Sequence, residues 1–173
     1  APQGIILSGG PESVIADETL RAPDYVFDFS VPVLGICYGM QTMALQLGGK
    51  VEGSDKQEFG YARVELSNDG HLLDGIHDEK QDESRFLDVW MSHGDKVIEL
   101  PSGFTQLART DSCEFAAMSD ESRHLYGVQF HPEVHHTPNG KTLYENFVKL
   151  AGFSGDWTMD AYRDQAIAAI REQ

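Results

Sequence analysis

Basic residues are scarce in this sequence. Thirteen Lys and Arg face 28 Asp and Glu, for a formal charge of −15. Binding to nucleic-acid phosphates requires clustered cations, so this balance argues against a nucleic-acid partner. Cysteine is scarcer still, with two in 173 residues, Cys37 and Cys113. Two cysteines do not make a disulfide framework, and the composition suits a reducing cytosol, so cytoplasmic residence is expected. Long apolar runs are missing: none approaches the ~20 residues that a membrane-spanning helix needs. Ala1-Pro2-Gln3-Gly4 shows no basic region followed by an apolar stretch, so no signal peptide is expected. Glycine is plentiful at 17, which suits tight turns and close backbone approaches. Apolar residues at 40% and charged residues at 24% match ordinary globular usage, and the length suits one domain.

Along the chain, short buried-type strands alternate with helical patterns. Gly4–Leu7 reads as a strand that ends in the turn cluster Ser8-Gly9-Gly10-Pro11. Ala22–Phe29 predicts a short helix with Pro23 in its first turn. Val31–Ile36 is apolar enough for a strand buried on both faces, as in a parallel sheet. Tyr38–Leu47 switches to helical period, with Met40, Met43, Ala44 and Leu47 on one stripe and Gly48-Gly49 as its stop. Tyr61–Leu66 alternates polar and apolar residues and predicts a strand with one wet face. Phe86–Ser92, Thr105–Arg109, Glu114–Met118 and His124–Phe130 are further strand candidates, and Asp78–Arg85 reads as a charged surface loop. Lys141–Leu150 predicts a helix with Leu143, Phe147 and Leu150 on one side, and 158–172 carries a second helical pattern beyond Gly152-Phe153-Ser154-Gly155. A strand–helix core with a late antiparallel portion is an α/β fold.

The sharpest chemical signal is Gly35-Ile36-Cys37-Tyr38-Gly39, between a buried strand and a helix. This is a nucleophile elbow with Cys in place of Ser. A sharp strand-to-helix turn lifts the nucleophile out of the sheet, and flanking glycines remove side chains that would clash. The sulfur then sits at a helix N-terminus, where the dipole favours negative charge. The plainer reading, a structural buried Cys, fits poorly between two glycines at such a junction.

A thiolate nucleophile in acyl transfer needs a base, and His131-Pro132-Glu133 follows an apolar strand. A carboxylate at Glu133 can hold one ring nitrogen of His131 and leave the other facing the sulfur. His131, Glu133, His135 and His136 also invite a metal reading. The HExxH and CxxC spacings that would support it are missing, and no metal is expected. Ser8–Ser13 supports three readings: half of an oxyanion hole through the Gly10 amide paired with that of Tyr38, a phosphate cradle weakened by Pro11, or a plain turn. Ser92-His93-Gly94-Asp95 suits a ligand-facing loop, and Gln41 lies one helical turn beyond Cys37.

Ser8-Gly9-Gly10-Pro11, Gly35-Ile36-Cys37-Tyr38-Gly39-Met40-Gln41 and Gln129-Phe130-His131-Pro132-Glu133, in this order, resemble the class I (triad) glutamine amidotransferases. Phe59-Gly60-Tyr61, Asp88-Val89-Trp90-Met91-Ser92-His93-Gly94-Asp95-Lys96-Val97 and Gly155-Asp156-Trp157-Thr158-Met159 are similar to members whose glutaminase domain leads into an ATP pyrophosphatase (synthetase) domain. The resemblance spans essentially the whole chain. It implies a flavodoxin-like α/β fold, a mostly parallel sheet flanked by helices with an antiparallel portion. It implies a glutamine amidotransferase domain over 1–152, which in the family opens with a strand–helix–strand unit ahead of Gly4. Residues 153–173 would be a linker and helix toward the synthetase domain. The implied substrate is L-glutamine. Cys37 would be the nucleophile, His131 the proton carrier and Glu133 its orienting partner, with the Gly10 and Tyr38 amides holding the oxyanion. Gln41, Ser92, His93, Gly94 and Asp95 would lie near the α-groups of glutamine, Asp95 meeting the ammonium. No cofactor is implied in this domain. ATP and Mg2+ would act in the synthetase domain, where ammonia aminates adenylylated xanthosine monophosphate, and the full enzyme is expected to be a homodimer. The competing classes are a cysteine hydrolase or peptidase on a related α/β fold, and a non-catalytic redox-sensing module built on Cys37.

Overall fold

The structure, a computed structural model, describes residues 2–82 and 84–153. The helical pattern at 158–172 lies outside the described residues. The strands are β1 (Ile5–Leu7), β2 (Val33–Ile36), β3 (Lys50–Leu66), β4 (Glu79–Gln81), β5 (Ser84–Glu99), β6 (Thr105–Arg109), β7 (Ala117–Asp120) and β8 (Leu125–Val128). The α-helices are α1 (Tyr38–Gln46) and α2 (Gly140–Leu150). The strands form one sheet in the order β1-β2-β8-β7-β6-β3-β5-β4.

Parallel pairing is confined to β1–β2 and β2–β8, and the remaining neighbours run antiparallel. The antiparallel share is therefore larger than the sequence suggests. A parallel neighbour needs a long crossover, usually helical. The described residues hold only two α-helices, so the other strands return antiparallel.

All four residues of β2 are buried, as its apolar run predicts. Its period of two splits them between two cores. Val33 joins Met40, Met43, Val97 and Leu125 beneath α1. Leu34 and Ile36 join Leu72, Leu87, Phe130 and Phe147 on the α2 side. Burial of each such side chain contributes about 1.5–3 kcal/mol. In α2, Leu143 and Phe147 are spaced i, i+4, and both are buried.

Several expectations change in detail. The helix predicted at Ala22–Phe29 is a 3-10 turn over Asp24–Asp28, because Pro23 and Phe29 on either side of it are extended. Asp78–Arg85 is not a loop but the β4–β5 hairpin, paired Glu79↔Phe86 and Gln81↔Ser84. Arg63 Nη1 donates to Glu79 at 2.6 Å and the Asp88 amide to Asp78 at 2.8 Å, which anchors this charged ribbon. The strand predicted at Glu114–Met118 begins at Ala117, because a turn held by Thr110 Oγ1 and the Ser112 and Cys113 amides takes up the residues before it. Ser92–Asp95 is also not a loop. β5 runs straight through it, with Leu87, Val89, Met91, His93, Asp95 and Val97 alternately buried.

Candidate active site

Cys37 sits between the end of β2 and the first turn of α1 at φ 51°, ψ −107°. A positive φ is strained for any residue with a Cβ and costs about 1–3 kcal/mol. The backbone around it over-determines the turn. The Cys37 amide donates to Val128 O at 2.8 Å, and its carbonyl accepts from the Gln41 amide at 3.0 Å. A Cβ on Gly39 would stand 2.0 Å from Leu7 O, so only glycine lets α1 begin this close to β1. The Cys37 side chain is buried, and its thiol donates to Ser92 O at 3.6 Å.

His131 follows β8, which runs parallel to β2, and so emerges at the same end of the sheet as Cys37. Its amide donates to Trp90 O on β5 at 3.0 Å, and its carbonyl accepts from Thr137 Oγ1 at 2.7 Å. Thr137 Oγ1 also accepts from the Trp90 amide at 3.1 Å, so one buried hydroxyl ties the His131 turn to β5. His131 Nδ1 donates to Glu133 Oε1 at 2.6 Å. Nε2 is buried and makes no hydrogen bond. Proximity of the Cys37 sulfur, more than Glu133, pushes the imidazole up to about 9 against the opposing effect of burial. That effect of the sulfur is one of proximity, since no bond to Nε2 is formed.

Cys37 and His131 open into one cavity of about 440 Å3, within the range of small-molecule sites. Gly10, Gln41, Ser92, His93, Gly94 and Asp95 line it too. Tyr38 and Glu133 do not. The Tyr38 ring packs beside Gly10 and its hydroxyl donates to Leu20 O at 2.6 Å, while Glu133 stands behind His131, half exposed. A larger groove of about 960 Å3, bounded by Glu58, Lys96 and Arg109, is lined by neither cysteine nor histidine. Chemistry rather than size marks the site.

On the polar wall, the Asp95 carboxylate is engaged at one of its two oxygens. Its Oδ2 accepts from Ser13 Oγ at 2.6 Å and from the Val14 amide at 2.9 Å, and so fastens the loop after β1 to β5. Gln41 Nε2 donates to Asp95 O at 2.7 Å and to Gln129 Oε1 at 3.2 Å, which fixes one end of its amide. The sequence reading also missed residues that matter here. A Cβ on Gly9 would lie 3.0 Å from His131 Cε1 and 3.6 Å from Cys37 Cβ, so this glycine brings the loop against both. Phe59 flanks the mouth, two-thirds exposed. Its motif was legible, but its place opposite Ser92 depends on the β3–β5 register. Thr137 carries no sequence signal.

A thiol, an imidazole and a carboxylate in this sequence of contacts can perform nucleophilic acyl transfer. Among the described residues no group of three or more potential ligands is placed to hold a metal ion. No helix among them is long and apolar enough to cross a membrane.

The chain is 59% identical to a GMP synthase (glutamine-hydrolyzing) of Ectopseudomonas mendocina, over all of this chain and 33% of that protein. It is 57% identical to the protein of the same name from Photobacterium profundum, over 99% of this chain and again 33% of the relative. The chain thus spans about a third of the length of these curated relatives. A crystal structure of a Thermoplasma acidophilum protein, assigned as one of the subunits of a GMP synthase, superposes with a TM-score of 0.72 at 28% identity, covering 99% of this chain and 77% of that one. The family model for glutamine amidotransferase class-I matches residues 1–151, and the chain belongs to that family.

Proposed function

We propose that this chain is the glutaminase part of a GMP synthase, hydrolysing L-glutamine to supply ammonia. The observation that carries the reading is the meeting of Cys37 and His131 in one cavity, with Glu133 on the far ring nitrogen at 2.6 Å. Cys37, as the thiolate, adds to the side-chain amide carbon of glutamine. The amides of Gly10 and Tyr38 hold the oxyanion, and His131 gives its proton to the departing nitrogen as the C–N bond breaks. Ammonia leaves and a γ-glutamyl thioester remains. His131, now neutral, takes a proton from water, which cleaves the thioester to glutamate and regenerates the thiolate. Gln41, Ser92, His93 and Gly94 face the substrate, while Asp95 shapes the wall through its bonds to Ser13 and Val14. The remaining two-thirds of the full-length protein would use ATP and Mg2+ to aminate xanthosine monophosphate with this ammonia, as a homodimer.

The test is the release of ammonia and glutamate from glutamine, measured together. They should appear in equal amounts, and Cys37→Ala should lower the rate by at least about 1,000-fold with the fold retained. Equal rates for the wild type and Cys37→Ala would refute the assignment, and cleavage of peptides without glutaminase activity would favour a hydrolase of another kind.

A further inference from the structure

The wall of the cavity holds an electrostatic mismatch. His93 on β5 faces the cavity, yet its side chain is only 1% exposed. Its Nδ1 lies 3.0 Å from Asp95 O. A carbonyl only accepts, so Nδ1 carries a hydrogen, and in a neutral ring Nε2 is a bare lone pair. That Nε2 is buried and makes no hydrogen bond. The group facing it is a carboxylate oxygen, Glu58 Oε2, at 3.6 Å. Glu58 and His93 are direct cross-strand partners at the first paired position after a register break in β3. Two acceptors this close in a buried site repel each other unless a proton lies between them.

We propose that Glu58 is a positioning residue for the glutaminase reaction, sharing one proton with His93 Nε2 and so holding the substrate-binding wall in place. This rests on the glutamine reading given above. The linkage runs through one carbonyl. Asp95 O accepts from both His93 Nδ1 and Gln41 Nε2, so movement of His93 disturbs Gln41 and the β5 backbone at the cavity. The ionisable groups around the pair are Lys96 on β5, the buried Cys113 thiol ahead of β7, and Asp95, whose Oδ2 accepts from Ser13 and Val14. Cys37, His131 and Glu12 face it across the cavity. Burial, the largest influence, holds the His93 imidazole below its ordinary value of 6.5, and Glu58 opposes it. Glu58 also borders the large groove on the other side, which places the shared proton in the partition between the two.

The experiment follows the pair and the kinetics separately in the 173-residue chain. Imidazole nitrogen shifts of labelled histidine are read across neutral pH in the wild type, Glu58→Gln and Glu58→Leu. The wild type should show His93 Nε2 hydrogen-bonded to a proton in acid, and that proton should be lost as pH rises, at a lower pH than for an ordinary histidine. Glu58→Leu should leave Nε2 bare and raise KM for glutamine roughly tenfold, with kcat changed by less than about threefold, as fits loss of one charged hydrogen bond. KM of the wild type should rise in the alkaline direction. Glu58→Gln should rescue binding, because its amide N–H donates to the neutral Nε2 and its carbonyl accepts from the protonated one, and its KM should be flat with pH. A bare Nε2 in the wild type throughout, or an unchanged KM in folded Glu58→Leu, overturns the proposal. Absence of ammonia release from the wild type would instead defeat the glutamine reading, while the nitrogen shifts would still decide whether the proton is shared.

Discussion

Cys37 and Cys113 show two fates of a buried thiol. Cys113 has no exposed surface, and burial pushes it up to about 12, so it stays protonated and inert. Cys37 faces a cavity on a strained turn, with His131 across from it. His131 sets the pH behaviour. The sulfur and Glu133 raise its proton affinity above the ordinary histidine value of 6.5, to about 9. A raised value means that the folded state favours the imidazolium. The stabilisation is complete below 6.5 and is lost as pH climbs through about 9. Because Glu133 is 46% exposed, its pairing adds at most about 1 kcal/mol to stability. Its effect should therefore appear in the rate rather than in the melting temperature. His131→Ala is expected to lower kcat by about 100- to 10,000-fold. Glu133→Gln should lower it less and move the alkaline limb of kcat to lower pH, since one of the two groups that raise His131 is gone. A pH–rate profile of both variants checks this, and an unmoved limb in Glu133→Gln would count against the orienting role.

Among the elements, the β2–Cys37–α1 junction depends most on one residue type. Gly39→Ala would drive a methyl group into Leu7 O and force β1 and α1 apart. Overpacking of this kind costs about 1–3 kcal/mol or more. The expected result is a lower urea midpoint together with loss of glutaminase activity, and a variant of wild-type stability would contradict the close approach. This junction was fully legible in the sequence, because Gly35, Cys37 and Gly39 lie within one short stretch whose geometry is local. The pairing of His131 with Glu133 was legible for the same reason. β5 was only half legible. Its alternation continues through His93 and Asp95, but those polar residues occupy inward positions that suggest a loop. The engagement of Asp95 with Ser13, the tether from Thr137 to Trp90 and the facing of Glu58 with His93 were not legible. Each depends on the register of segments distant in the chain, and a single sequence carries no register information across such distances. The size of the antiparallel portion was missed on similar grounds.

For the whole molecule, the proposed division of labour gives a test in the full-length protein. Cys37→Ala should abolish amination of xanthosine monophosphate driven by glutamine and preserve amination driven by added ammonium. Formation of the aminated nucleotide with each nitrogen source measures both. Loss of both activities in a folded protein would mean that Cys37 does more than release ammonia. The place of β2 in the sheet has a further consequence, which concerns time. β2 pairs in parallel with β1 (Ile5↔Val33) on one side and with β8 (Val33↔Leu125) on the other. The second pairing closes a very long loop, and no tight hairpin can zip it from one end. Non-local pairings of this type are late and slow in folding. Cys37 leaves one of these strands and His131 follows the other. Cys37 and His131 therefore meet only when this pairing closes, so a partly folded chain does not assemble the proposed site.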